Sequence, residues 1–303
     1  MPNTLTHIAV QGFAAKGIRK EIDPKLIYLG LLIPDLPYIL RRIILVVYPT
    51  VNEYELALYA IIQSSLIFSL LLCLAFSLLT SEFRKTFAIL SINALFHLFL
   101  DATQFKWGSG IHLFAPFYWK PLNFGFYWPD SILIKVSVLL GLAYFIMHWK
   151  KAVLTALPLK TAFCPVHIFA AILIVVYLLL PPFMSSLPEN VDSHFIRTLR
   201  YKEERAGKYV EIDRAPYKRT ETGGLIYLEH EVLKAGKNAP SQSGQISLKG
   251  SFIDLETVDL REWHLHSTWF RDSASYVALL LVSAAWAVGL FVQFSDRRGR
   301  AFK

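Results

Sequence analysis

The chain has little cysteine, little charge, and none of the short motifs that mark the common hydrolases. Its two cysteines, Cys73 and Cys164, lie far apart, one inside an apolar run and one at the edge of another. No disulfide framework is indicated, and no CxxC pair offers a zinc knuckle. There is no Gly-x-Ser-x-Gly elbow, no Walker A loop and no His-Glu-x-x-His pair, so serine hydrolase, P-loop NTPase and zincin chemistries have no support. Internal repeats and low-complexity tracts are also missing. The first twenty residues lack the signal-peptide order of basic flank, apolar core and small-residue cleavage site, and are expected to be part of the fold.

What the chain does have is apolar length. Hydrophobic residues make up 54% of 303, charged residues only 18%, and the mean hydropathy is +0.41. Soluble domains rarely reach that, and several runs near twenty residues predict a mostly α, polytopic membrane bundle. The formal charge of +8 could suggest nucleic acid, but the basic residues sit beside apolar runs, as topology signals do. No nucleic-acid partner is expected.

Five spans are predicted, at 55–79, 85–101, 131–149, 163–184 and 274–294. Arg84 and Lys85, then Lys150, Lys151 and Lys160, then Arg297, Arg298, Arg300 and Lys303 fall on one side if each run crosses once. The positive-inside rule makes that side the cytoplasmic face of the cell (plasma) membrane. Ahead of the spans, residues 1–20 read as a short helix starting near Thr4 or Thr6, either a fair N-cap, with a basic end at Lys16, Arg19 and Lys20. Residues 26–48 are apolar but broken at Ile33-Pro34-Asp35-Leu36-Pro37. Proline interrupts a helix, so Asp35 is predicted at a break, giving a broken N-terminal helix pair.

Three regions follow: a bundle over 1–184, an extracytoplasmic segment over 185–272, and a final span with a basic tail over 273–303. The outer segment is polar, with short alternating runs such as KYVEIDR and GQISLKGSFIDLETVDL and turn signals at Gly223-Gly224, Gly236 and PSQSG. Four or five strands predict a small β-barrel of OB or similar type, or else a hairpin cap resting on the membrane. Such a domain could bind an envelope protein or polymer, while the bundle meets membrane lipids.

The candidate site centres on Asn93–Phe117. His97 and Asp101 are four apart and share a helix face. Ionisable groups in an apolar span are costly and usually face a cavity or a partner. His7 and Asp35 can join them if the N-terminal pair descends and returns, and imidazole plus carboxylate suits zinc or a similar divalent ion. The plainer reading is a hydrogen bond between His97 and Asp101 across one turn. In the following loop, Lys106 and His112 could meet an anionic headgroup, or belong with Trp107, Trp119 and Trp128 to an aromatic belt. His264 and His266 share one strand face and could bind metal with His230, although a structural role is the simpler reading.

Four motifs carry a resemblance: Thr6-His7, Gly30-x-x-Ile33-Pro34-Asp35, His97-Leu-Phe-Leu-Asp101-Ala-Thr-Gln104, and Gly110-x-x-Leu113-Phe-Ala-Pro-Phe117. Over about residues 1–150 the chain resembles the LexA-binding, inner-membrane-associated (YdjM-like) hydrolases. The resemblance implies a metal-dependent membrane hydrolase holding zinc or manganese through His7, Asp35, His97 and Asp101, with Asp35 or Asp101 as proton acceptor. Because the pocket would open among acyl chains, its location suggests a lipid or lipid-linked phosphoester as substrate, with Gln63, Lys106 and His112 as the expected contacts. One element departs: the family's H-R-G-x-T-H-S stretch is replaced by YAIIQSSLIF, with Gln63, Ser64 and Ser65 and no histidine. That loss favours the alternative, a non-catalytic membrane scaffold in which Gln63 only ties helices. A transporter, suggested by the broken helices, ranks third.

Overall fold

The structure, a computed structural model, describes residues 3–18, 21–160, 163–192, 194–221, 223–236, 238–266 and 270–301. Arg19, Lys20 and Lys303 of the expected basic ends lie outside them.

The elements of the N-terminal half are helices, α1 (Thr4–Ile18), α2 (Pro24–Leu32), α3 (Leu36–Val47), α4 (Glu53–Gln63), α5 (Leu66–Leu78), α6 (Phe83–Ala102) and α7 (Ile132–Leu154), with a long loop held by isolated β-bridges between the last two. A 3-10 turn over Ile33–Asp35 separates α2 from α3, so Asp35 does sit at the break that Pro34 and Pro37 impose. The expected cap of α1 moves by one residue. Asn3, not Thr4 or Thr6, accepts the Thr6 N–H at 2.9 Å through its side-chain oxygen. Asn is at least as good a cap as Thr, and such caps contribute about 1 kcal/mol.

Among the described residues, three helices are long and apolar enough to cross a membrane: Phe83–Ala102, Ile132–Leu154 and Arg271–Ser295, the last within α11 (Phe270–Ala301). The other two expected spans are bent. Residues 55–79 become α4 and α5, which meet at 66°, and 163–184 becomes α8 (Pro165–Leu179) followed by a Pro181–Val191 segment at 43° to it. Ser64-Ser65 and Pro181-Pro182 mark the two breaks, and neither dipeptide continues a helix well.

The bundle has a basic end. Lys160 N–H donates to Leu79 O and Ser81 N–H to Pro158 O, which joins the turn before α6 to the turn after α7. Gln293 of α11 exchanges two hydrogen bonds with the Leu157 backbone there. The buried Lys25 ammonium caps the C-terminus of α7 through Ala152 O and Thr155 O, where the helix dipole favours a cation. The predicted clustering of basic turns on one side thus has a geometric counterpart.

At the opposite end sits a closed five-stranded barrel: β1 (Tyr209–Thr220), β2 (Gly223–Tyr227), β3 (Val232–Ala235), β4 (Gly244–Phe252) and β5 (Thr257–His266), in the order β1-β2-β3-β5-β4. All pairs are antiparallel except β3 with β5. Alternating residues fill it, among them Val210, Ile212, Ile226, Ile246, Leu248 and Val258. The barrel is smaller than the 185–272 segment, because α9 (Ser186–Val191) and α10 (Ile196–Arg200) take up the start of that segment. Gly108 (φ +67°) lets the loop after α6 approach β1 closely. A Cβ there would lie 2.4 Å from Glu211 O, and its N–H donates to the Glu211 carboxylate at 2.7 Å.

Candidate metal centre

His97 and Asp101 stand one turn apart near the C-terminal end of α6, which runs from the basic end to the barrel. Gly30 lets α2 reach them: a Cβ on it would come within 2.8 Å of Asn93 Cβ and 3.0 Å of Leu90 O. Close packing of α2 on α6 at this glycine brings the following 3-10 turn, and with it Asp35, alongside His97. α1 supplies His7 from the other side. His7, His97, Asp101 and Asp35 are all buried, at 0%, 1%, 2% and 5% exposure.

His7 Nε2 is 3.2 Å from Asp101 Oδ1, and His97 Nε2 is 3.0 Å from Asp35 Oδ1 and 3.9 Å from Asp101 Oδ2. The two imidazoles stack face to face, with centroids 3.8 Å apart and planes 6° apart. Ligand atoms of His7, His97 and Asp101 all lie within 4.8 Å of one another, and Asp35 joins through His97. Around a tetrahedral zinc with bonds of about 2.0–2.1 Å, neighbouring ligand atoms are about 3.3 Å apart. The spacing fits such an ion and also fits hydrogen bonds.

Two details bear on the choice. The Gln11 carboxamide lies between His7 Nδ1 and Asn93. With its nitrogen toward Asn93 Oδ1 (3.0 Å) and its oxygen toward His7 Nδ1 (3.2 Å), both of its ends are paired. His7 then carries a proton on Nδ1, and a neutral ring turns the Nε2 lone pair on the Asp101 oxygen. A cation between them resolves that repulsion. In addition, His97 Nδ1 is buried without a hydrogen-bond partner, which is unusual for a native polar group. Against these stands Lys106, whose ammonium is 2.7 Å from Asp101 Oδ2 and already neutralises one carboxylate.

The centre lies between two cavities. A chamber of about 250 Å³ under the barrel is lined by Asp101 and Lys106 together with Arg41, Arg42, Arg214 and Arg271, and by Asp213 and Asp272. Five cations face three carboxylates. An apolar cleft of about 450 Å³ adjoins it, lined by Asp35, Ile39, Ile43, Val46, Val47 and Leu279, and shares Tyr38, Arg42, Arg271 and Asp272 with the chamber. Asp101 thus faces the charged space and Asp35 the apolar one.

Arg214 reaches the chamber because β1 bulges between Ile212 and Ala215 and Arg214 takes φ +56°. A bulge re-aims a side chain, and positive φ at a non-glycine residue is a strained choice often seen at functional sites. Its Nη2 donates to Gln245 at 2.9 Å, while Nη1 is buried without a partner, as is Arg41 Nε. Burial, helped by Arg271, pushes the Arg214 pKa down to about 10. Arg41 and Arg214 both line the chamber, and guanidinium groups in such a setting are suited to an anion.

The other predicted site residues lie elsewhere. Gln63 donates to Tyr59 Oη and Tyr177 O, both at 3.1 Å, and ties α4 to α8. His112 is buried at 3%, packed against Trp119 and stacked on His194 with centroids 4.9 Å apart. Burial lowers its pKa to about 4. Arg271 and Asp272, adjacent at the start of the last long helix, lie 3.8 Å apart through their charged groups. His264 and His266 meet Asp130, not His230. The arginines of the chamber escaped the sequence reading: only the Arg41-Arg42 pair could have signalled them, while the bulge that turns Arg214 has no sequence mark. Comparison of the chain with protein-family models, curated proteins and solved structures gives no match.

Proposed function

We propose that the chain is a metal-dependent membrane hydrolase acting on an anionic amphiphile, a lipid or lipid-linked phosphoester. The observation that carries this reading is the junction itself: a His–His–Asp cluster between a cationic chamber and an apolar cleft. A phosphate head suits the chamber's guanidinium groups, and an acyl or prenyl tail suits the cleft between α3 and α11. Apolar side chains left exposed on the three long helices, among them Ile92, Phe99, Leu139, Ile146, Leu280 and Phe291, support immersion in lipid. The basic turns at the end away from the barrel support a cytoplasmic position for that end. The β3–β5 parallel closure supports the OB-type reading of the barrel.

His7, His97 and Asp101 would hold zinc or manganese, with Asp35 beside them. When bound, such an ion polarises a phosphoryl oxygen and lowers the pKa of a water. The protein's own groups do the rest. Arg41 and Arg214 orient the phosphoryl group, and Lys106 fixes Asp101. Asp35, on the cleft side and 3.0 Å from His97, would take a proton from the attacking water as its oxygen bonds to phosphorus. The carboxyl group would return that proton to the leaving oxygen as the ester P–O bond breaks, releasing the alcohol.

A scaffold without catalysis is the second reading, favoured by the 2.7 Å Lys106–Asp101 pair and the histidine missing near Gln63. Full-length protein in detergent, assayed for bound zinc or manganese and for release from phosphate-headed lipids, separates the two. The expected result is metal-dependent hydrolysis that His97→Ala lowers on the order of 10²–10⁴-fold, the usual weight of a positioned catalytic group. Equal metal content and no turnover in both proteins would leave the scaffold.

A further inference from the structure

A second histidine–carboxylate cluster lies where the barrel meets the bundle. Asp130, at the start of the turn into α7, points its Oδ1 at two imidazoles of β5: His264 Nε2 at 3.3 Å and His266 Nδ1 at 3.7 Å. Ligand atoms from all three residues lie within 4.8 Å of one another. The residues come from two regions more than 130 positions apart, so only the docking of the barrel on the bundle assembles them.

The hydrogen bonds behind His266 decide what its ring offers. Ser247 Oγ donates to Asp213 Oδ1 at 2.8 Å, so its single proton is committed. It then accepts from the Arg214 N–H at 3.1 Å and from His266 Nε2 at 2.8 Å. His266 therefore carries its proton on Nε2, and the neutral ring directs a bare Nδ1 lone pair at a carboxylate oxygen. That nitrogen is buried and has no hydrogen-bond partner, in a residue only 3% exposed. Lone pair against carboxylate is repulsive, and a bound cation turns it into attraction. A serine and an aspartate orienting the far nitrogen is the arrangement that supports metal-ligating histidines. Trp128 covers one face of His264, its ring stacked at 3.9 Å and 3°, which fixes the orientation of that imidazole.

We infer that Asp130, His264 and His266 form a structural divalent-metal site of the zinc type that clips the barrel to the bundle, with a water completing four-coordination. Two imidazoles and a carboxylate suit zinc among the available ions. Because Ser247 and Asp213 connect the clip to Arg214, the ion would also hold the chamber roof in register. The inference does not depend on the proposed hydrolase activity.

The test uses full-length protein in detergent carrying His97→Ala, which disables the bundle cluster, loaded with zinc and then dialysed. About one zinc per chain is expected to remain by elemental analysis, and chelation is expected to lower Tm. Adding Asp130→Asn, nearly isosteric, or His266→Gln should abolish both the bound zinc and the chelator shift. Ser247→Ala in the same background should weaken zinc affinity on the order of 10- to 100-fold, as loss of a supporting residue does. A His97→Ala protein that is folded yet holds no zinc and shows no chelator shift overturns the inference. Zinc retained in full by the Asp130→Asn and His266→Gln variants overturns it as well. Either result leaves the hydrolase reading to stand or fall on wild-type turnover.

Discussion

The two histidine–carboxylate clusters use the same side chains under different conditions. The bundle cluster is built by α1, α6 and the 3-10 turn between α2 and α3, is buried to 5% exposure or less at every member, and contains its own cation in Lys106. The rim cluster joins a loop to the C-terminal end of β5. His264 and Asp130 remain partly exposed there, with side chains at 28% and 14%. In a buried setting, an uncompensated carboxylate costs several kcal/mol, so the bundle needs Lys106 to fold before any ion arrives. At the rim, water reaches the pair, and the fold can tolerate an empty site. The contrast teaches that convergence of ligands alone does not tell a catalytic centre from a clip. What else is in the neighbourhood does: the bundle cluster opens on two cavities, and the rim cluster carries a tryptophan stacked on one of its imidazoles.

Removing the resident cation tests this contrast most severely. Lys106→Met leaves Asp101 with one charged partner fewer in a dry setting, and metal-free protein should lose about 3–5 kcal/mol of stability. Thermal melts with and without zinc should show a larger metal-dependent gain in Tm for the variant than for wild type, since the ion then has an unneutralised carboxylate to bind. Equal gains in the two proteins would mean that Lys106 and the ion do not compete for Asp101.

A third histidine group, His112 with His194, extends the comparison to imidazoles governed by burial. Burial lowers the His112 pKa from 6.5 to about 4 and drives His194 well below its usual value. The unfolded chain therefore binds more protons than the folded one. Stability is full above pH 6.5 and declines as pH falls toward 4, by about 3 kcal/mol for His112 at 1.36 kcal/mol per pKa unit. Chemical denaturation between pH 7 and pH 4 should show that slope, and His112→Gln should flatten it. An unchanged slope in the variant would assign acid sensitivity to other groups.

The smallest effect is expected at Gln63. Its two hydrogen bonds hold α4 to Tyr59 and α8, so Gln63→Ala should cost about 1 kcal/mol of stability and leave metal content unchanged. A 10- to 100-fold fall in metal affinity would instead make it a supporting residue of the bundle cluster.

Much of this was legible along the chain because it depends on neighbours in sequence. Apolar runs fixed where long helices form, Pro34 and Pro37 put Asp35 at a break, and the four-residue step set His97 and Asp101 on one face. Alternation from Val210 to Leu260 marked a small barrel. Bends were missed at Ser64-Ser65 and Pro181-Pro182 because hydropathy counts residues and is blind to direction. The approach of His7 to Asp101, across 94 positions, is expected if the N-terminal helix pair descends and returns, and is decided by how α1, α2 and α6 pack. Asp130 as the partner of His264 and His266 came from docking alone, and so did the gathering of Arg41, Arg42, Arg214 and Arg271 around one chamber. Periodicity determines which face a side chain takes, a short-range matter of backbone geometry. Which distant face it meets depends on packing, glycine contacts such as Gly30 on Asn93, and a strained bulge at Arg214, and those exist only once the chain is folded.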